Sequence, residues 1–330
     1  MKYKLMNKKI KYWNRILATY LIKGNSNLSF WHGKPEINKN ADYKNLNQYY
    51  MSFSYKANYN GDFDNNGIPM LNYHGNIGLQ YNPIAISQWG LGNYNIYKSK
   101  GKNANAFKKF IKSADWLVEN LKKNSNDIYV WNHTFDWTYK QTLKNPWYSG
   151  LAQGQGLSVL VRAYDETNNG KYIEAIHKVV DSFFCSVDNG GVTFTDSYQD
   201  IWLEEYIVNP PTHILNGFIW GIWGLYDYWL LTNDKKIKNL FDNYIKTIQL
   251  NLYKYDIGYW SLYELSELKI KMRASLFYHK LHIVQLQILF AMTDIELFKE
   301  TSNKWQSYLD KKINKIRATF MKIIFKIFYY

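Results

Sequence analysis

Two adjacent carboxylates and a phenol, Glu204, Glu205 and Tyr206, stand just ahead of a break at Pro210–Pro211. These residue types move protons: a carboxylate takes one, and a phenol gives one or supports the charge left behind. Two stretches downstream repeat the theme. "SLYEL" supplies Tyr263 and Glu264, and "LFYHKLH" supplies Tyr278 and His279, with Arg273 and Lys280 close by as cations. Other catalytic signatures are missing: the sequence has no G-x-G-x-x-G, P-loop, G-x-S-x-G or H-E-x-x-H. His279 and His282 share a helix face but have no third ligand nearby, so no metal and no cofactor is expected. "DFDNNG" (62–67) lacks the downstream glutamate of a calcium loop and reads as a solvated Asx/Gly turn.

What such a set can do follows from its chemistry. A uronic-acid ring has one distinctive acidic C–H, at C5, α to the C6 carboxylate. Its removal needs a base near C5 and cations or hydrogen-bond donors around the enolate-like dianion that develops. Ordinary loop aromatics remain an equally open account of these residues at this point.

The elements that must position them show a rhythm. Helical periodicity runs through 82–97 and 105–121, then alternation through 128–139. Helical patterns at 149–167 and 171–185 precede extended "GGVTFTDSY", and those at 213–232 and 236–253 precede "YDIGYWSLYEL". A fourth pair, 277–293 and 294–312, follows. Repeats of about 60 residues, none able to bury its apolar face alone, predict stacked helical hairpins. Gly150, Gly154, Gly156, Gly217, Gly221 and Gly224 suit close packing around an axis. The expected fold is mainly α: an α/α toroid, as a partial barrel of hairpins, with short β excursions at one rim. The three chemical stretches would meet there. The expected organisation is a basic N-terminal segment (1–40), the toroid (41–310) and a basic amphipathic C-terminal helix (311–330).

Composition narrows the partners. A formal charge of +14 over 330 residues favours a polyanion, and aromatics at 18 % suit sugar faces as well as bases. No nucleic-acid-binding module is recognisable, so an acidic polysaccharide or a lipid-linked oligosaccharide is the expected partner. A single cysteine, Cys185, excludes a disulfide framework. No segment reads as a membrane span or a secretory signal, so the expected place is the cytoplasm, at the inner face of the membrane. Ile313, Ile316, Phe320, Ile323 and Ile327 form one stripe of the C-terminal helix, with Lys315, Lys322 and Lys326 off it. That stripe can rest on an anionic membrane, pack on the body of the protein, or meet a second subunit in a homodimer.

At "YNPIAISQWGLGNYN" (81–95), "NPWYSGLAQGQGLSVLVRAY" (145–164), "EEYIVNPPTHILNGFIWGIWGLYDY" (204–228), "YDIGYWSLYEL" (255–265) and "YHKLHIVQLQIL" (278–289) the chain resembles the catalytic domain of the D-glucuronyl C5-epimerases. The resemblance implies an α/α toroid and conversion of D-glucuronate to L-iduronate in heparan-type chains. It implies Glu205 as the base on C5, Tyr278 on the opposite ring face, and Tyr206 and Tyr263 in support, with Glu204 a neighbour. It also implies substrate contacts from Trp147, Gln153, Gln155, Asn216, Arg273 and His279. Two positions depart from the family pattern. Ile207 stands where the family has proline, and Ser266 where it has an arginine that would face the substrate carboxylate. Arg273 or Lys269 is the expected replacement. Two rival expectations share the site: a polysaccharide lyase, if the C4 leaving group departs first, and a glycan-binding relative that has lost catalysis.

Overall fold

The computed structural model describes residues 30–73, 75–99 and 101–329. Most of the predicted basic N-terminal segment, and Tyr330 of the predicted C-terminal helix, lie outside the described residues.

Among the described residues, nine long helices carry the fold. They are α1 (Pro83–Ser99), α2 (Ala104–Asn120), α3 (Gly150–Thr167), α4 (Gly170–Phe184), α5 (Leu215–Thr232), α6 (Lys235–Asn251), α7 (Leu276–Thr293), α8 (Glu296–Asp310) and α9 (Lys312–Tyr329). The first eight form four antiparallel hairpins. Their first members, α1, α3, α5 and α7, lie inside, and the partners α2, α4, α6 and α8 lie outside. Inner helices are apolar nearly all round: every residue from Gly150 to Ala163 and from Leu215 to Tyr228 is buried. Outer helices are amphipathic, as a one-sided contact requires. The architecture is a partial α/α toroid.

One local device makes three of the hairpins. α3, α5 and α7 each end on a threonine followed by Asn168, Asn233 or Asp294 in the left-handed region, at φ 50°, 56° and 58°. Each threonine hydroxyl donates to the carbonyl four residues back and accepts from the backbone N–H two residues on. Asn and Asp are the non-glycine residues that tolerate this conformation best. Asn169 and Asp234 then cap the outgoing helices. The chain therefore reverses tightly at one end of the toroid.

At the other end it wanders. β1 (Leu71–Asn72) pairs with β2 (Leu79–Gln80) ahead of α1. β3 (Leu121–Lys123), β4 (Tyr129–His133) and β7 (Trp147–Tyr148) form a small antiparallel sheet, β5 (Trp137–Thr138) pairs with β6 (Thr142–Leu143), and β8 (Thr193–Thr195) pairs with β9 (Ile201–Leu203). The segment 255–265 makes only isolated bridges, Asp256 with Ser261 and Leu262 with Arg273. These excursions build the rim from which inner helices start.

Close packing holds the axis. A Cβ on Gly154 would fall 2.0 Å from the carbonyl oxygen of Gly221, so α3 and α5 touch backbone to backbone. Inside, Arg162 and Asp227 form a fully buried ion pair at 2.6 Å, and the Tyr50 hydroxyl donates to the same carboxylate at 2.5 Å. Each charge is paired and hydrogen-bonded, as burial demands. Tyr50 belongs to a strap, residues 41–53, that spans from α7 to α1. Lys44 pairs with Asp294 at 2.9 Å at one end, and Asn95 accepts from Tyr49 N at 2.7 Å at the other. The strap fills the open side that four hairpins leave. Phe30 is fully buried, with Lys56 donating to its carbonyl, and Asn38 is buried as well, so both residues anchor this segment to the body. In "DFDNNG", Asp64 accepts from Asn66 N, Ile68 N and the Tyr81 hydroxyl.

Candidate active site

β9 delivers the acidic pair to the rim. Glu204 N donates to the Val192 carbonyl and Gly150 N donates to the Glu204 carbonyl, both at 3.0 Å, so this backbone is clamped between β8 and the start of α3. The Glu204 side chain turns back on its own loop. It accepts from Thr212 N and His213 N and meets the His213 ring, which stacks on Trp202 at 4.0 Å. That carboxylate closes the 204–213 loop.

Glu205 faces the other way, onto the first turn of α5. Asn216 Nδ2 approaches its Oε2 at 3.5 Å, and a Cβ on Gly217 would lie 2.1 Å from the same oxygen. Only glycine leaves room for the carboxyl there. Burial pushes the Glu205 pKa up to about 8, the charge of Glu204 adds to that, and a hydrogen bond from Tyr206 opposes it. Tyr206 packs its ring on Tyr139 at 4.7 Å and Trp147 at 5.7 Å.

The second half of the site comes from 263–278. Leu215 N donates to the Tyr263 carbonyl at 3.2 Å and Leu265 N to the Thr212 carbonyl at 2.9 Å, which stitches this segment to the start of α5. Tyr278 stands in the first turn of α7, whose cap Ser275 accepts from Tyr278 N. The Tyr263 and Tyr278 rings meet edge to face, centroids 4.8 Å apart. Gln285 of α7 donates to the Asn216 carbonyl at 2.9 Å, fixing α7 against α5. His32 joins from the N-terminal side, 6.2 Å from Tyr278. Burial, then the charges of Lys322, Lys56 and Lys326, lower its pKa to about 4, so it is neutral at physiological pH.

A cluster of lysines edges these tyrosines. Glu264 is buried and accepts from Tyr139, Ser266 and Lys140. Burial raises its pKa to about 7, while Ser266, Lys322 and Lys271 act in the opposite sense. The Lys140 ammonium in contact with it favours the ionised carboxylate. Ser266 therefore serves Glu264 and leaves the space before Tyr263 to others. α9 crosses that space. Phe325 is buried among Tyr139, Ile214, Tyr263 and Met272. Lys322, one turn earlier, turns its ammonium onto the Arg273 carbonyl at 3.1 Å and lies 5.6 Å from the centroid of the Tyr263 ring. Burial, then Lys326, lowers its pKa to about 7, with Glu264 opposing. Among the described residues Lys322 makes no ion pair within 4.0 Å.

Glu205, Tyr206, Tyr263, Tyr278, Asn216 and Trp147 thus gather at one end of the toroid. Others named from the sequence lie elsewhere. Gln153 is bonded to Trp131 N, the Tyr129 carbonyl and Ser182, and Gln155 to Gln88, all in the core. His279 stacks on Trp260 at 3.8 Å and bonds to Ser261 and the Trp305 carbonyl. His282 reaches the same Ser261 hydroxyl at 3.0 Å. The Arg273 guanidinium is turned to the Lys271 carbonyl and the Tyr259 hydroxyl. His32, Tyr139 and Phe325 have no place in the sequence reading, and Lys322 enters it only as a cation off the C-terminal stripe. Lys322 had one usable signal: it lies off the apolar stripe, on the side of α9 that turns out to face the body. Among the described residues, no three His, Cys, Asp or Glu side chains gather as metal ligands.

Comparison with known proteins gives the family. The model of the family described as D-glucuronyl C5-epimerase C-terminus matches residues 123–307, more than half of the chain. A D-glucuronyl C5-epimerase of Caenorhabditis elegans is 30 % identical over 217 residues, covering 60 % of this chain and 34 % of that protein. The chain therefore spans about a third of that relative's length. An uncharacterised protein of Methanocaldococcus jannaschii is 26 % identical over 246 residues, 70 % of this chain and 78 % of that one. Among solved structures, an unsaturated glucuronyl hydrolase of a Bacillus species is similar at TM-score 0.46 and 12 % identity, over 68 % of this chain and 61 % of that chain. The chain belongs to the D-glucuronyl C5-epimerase C-terminus family.

Proposed function

We propose that the protein is a uronate C5-epimerase that converts D-glucuronate to L-iduronate residues within an acidic glycan. Glu205 takes the C5 proton on one ring face, and Tyr278 returns a proton on the other. The observation that carries this reading is the placement of Glu205: a buried carboxyl over Gly217, its pKa raised to about 8, at the end of the toroid where Tyr263 and Tyr278 meet. A base with a pKa near the working pH combines availability with proton affinity. Tyr206 and Tyr263 steady the carboxyl and the developing anion as hydrogen-bond donors.

Loss of the C5 proton leaves a dianion across C5 and the C6 carboxylate, which needs a cation. Lys322 fills that need, which the neutral Ser266 cannot. A substrate carboxylate beside it raises its pKa from about 7, so binding keeps the ammonium charged. The test is incubation with a glucuronate oligomer and detection of iduronate in the product. Growth of the absorbance of an unsaturated uronate would instead assign a lyase. Tight oligomer binding with neither product, unchanged in Glu205→Gln, would remove the enzyme reading.

A further inference from the structure

The C-terminal helix α9 has two apolar faces, and only one of them meets the protein. Asn314, Ala318 and Phe325 are its buried residues. On the far side Ile313, Ile316, Phe320, Ile323 and Ile327 are 68, 57, 61, 43 and 52 % exposed, with Phe328 beside them at 70 %. The larger apolar stripe thus faces solvent along the whole 18-residue helix. Isolated exposed apolar residues are ordinary, but a contiguous stripe of this length is not. Its charges are one-signed: Lys312, Lys315, Arg317, Lys322 and Lys326, with no acid.

We infer that α9 docks the protein on an anionic membrane surface, lying in the interface with this stripe in the acyl boundary. The protein's own body is excluded as the cover, because the opposite face of α9 already rests on it. A second copy is disfavoured by charge, since an isologous contact would lay two acid-free, five-cation helices side by side. Residues 1–29 carry seven Lys or Arg and no acid, so their composition offers the helix no countercharge. In an anionic membrane the acyl boundary complements the stripe and the headgroups complement its flanking cations. No described helix is long and apolar enough to cross a membrane, so the fitting geometry is a helix lying flat. Lys322 and Phe325 sit on the body side of the same helix, so docking would hold the candidate active site about one helix diameter, roughly 10 Å, from the lipid.

The test is co-sedimentation of the full chain with vesicles of phosphatidylcholine alone and of equimolar phosphatidylcholine and phosphatidylglycerol. It does not depend on the proposed reaction. The wild type binds the anionic vesicles, and the double variant Phe320→Glu/Ile323→Glu binds them at least about tenfold more weakly. Both positions are exposed, so circular dichroism and Tm stay at wild-type values. Tyr198→Glu, at an 81 % exposed site elsewhere, leaves binding intact. Failure of the wild type to bind anionic vesicles overturns the inference, as does equal binding to neutral ones or undiminished binding by the double variant. A wild-type dimer in solution that the double variant dissociates would reassign the stripe to a copy-to-copy contact.

Discussion

An oxygen of the Glu205 carboxyl occupies the space where a side chain on Gly217 would begin: a Cβ built there falls 2.1 Å away. Gly217 lies inside α5, where alanine is ordinarily favoured by about 1 kcal/mol. Gly217→Ala therefore sets a helix gain against an overpacking cost of about 1–3 kcal/mol. Tm is expected to move little, while kcat falls by tenfold or more, roughly, as the carboxyl is displaced. Full activity in Gly217→Ala, with Tm unchanged, would mean the carboxyl's position is immaterial.

The raised pKa of Glu205 has a signature in stability. Its folded value, about 8, lies above the unfolded value near 4.5, so the native state binds more protons between these limits. Stability must fall as pH rises through that window, by up to roughly 5 kcal/mol from this group alone. Glu205→Gln removes the effect. Denaturant unfolding at about pH 5 and about pH 8.5 should show the variant gaining on the wild type at the higher pH. Glu264 shifts the same way but is common to both proteins and cancels in the comparison. A constant difference between them would place Glu205 in contact with water.

Lys322 carries the opposite sign. Its folded pKa, about 7, lies below its ordinary value of 10.5, so the unfolded state binds the extra proton between them and stability rises with pH in that range. Lys322→Met abolishes that rise. It also removes a charge-assisted contact, so KM for a glucuronate oligomer rises by about tenfold or more. Lys322→Arg should recover much of the loss. An unchanged KM in Lys322→Met would assign the carboxylate to another cation.

The left-handed turn residues give a stability test away from the site. Asn233→Ala places a Cβ-bearing residue of poor left-handed propensity at φ 56° and should cost about 1 kcal/mol. Asn233→Gly should be close to neutral. Equal losses in the two would point to the Asn side chain and not the backbone.

Much of the architecture was legible because helical periodicity is local. The boundaries of α3, α5 and α7 coincide with the periodic runs and with Thr-Asn or Thr-Asp endings. Glu205 and Tyr278 could be named because each sits in a segment of recognisable pattern, Glu205 just after β9 and Tyr278 in the first turn of α7. His32 could not, since its approach to Tyr278 depends on the fold of a non-periodic segment more than 200 residues away in sequence. Gln153 and Gln155 show the converse. Polar residues on an inner helix look available for a ligand, yet buried backbone groups at Trp131 and Tyr129 needed the partner that Gln153 provides. Ser266, which stands where the family has an arginine, donates its hydroxyl to Glu264.

The central claim is that Glu205 is the base on C5. The most direct measurement is solvent-deuterium incorporation at C5 of a glucuronate oligomer, compared between wild type and Glu205→Gln at matched oligomer binding. The account predicts exchange by the wild type and a loss of at least about a hundredfold in the variant. Exchange by Glu205→Gln at the wild-type rate would contradict it.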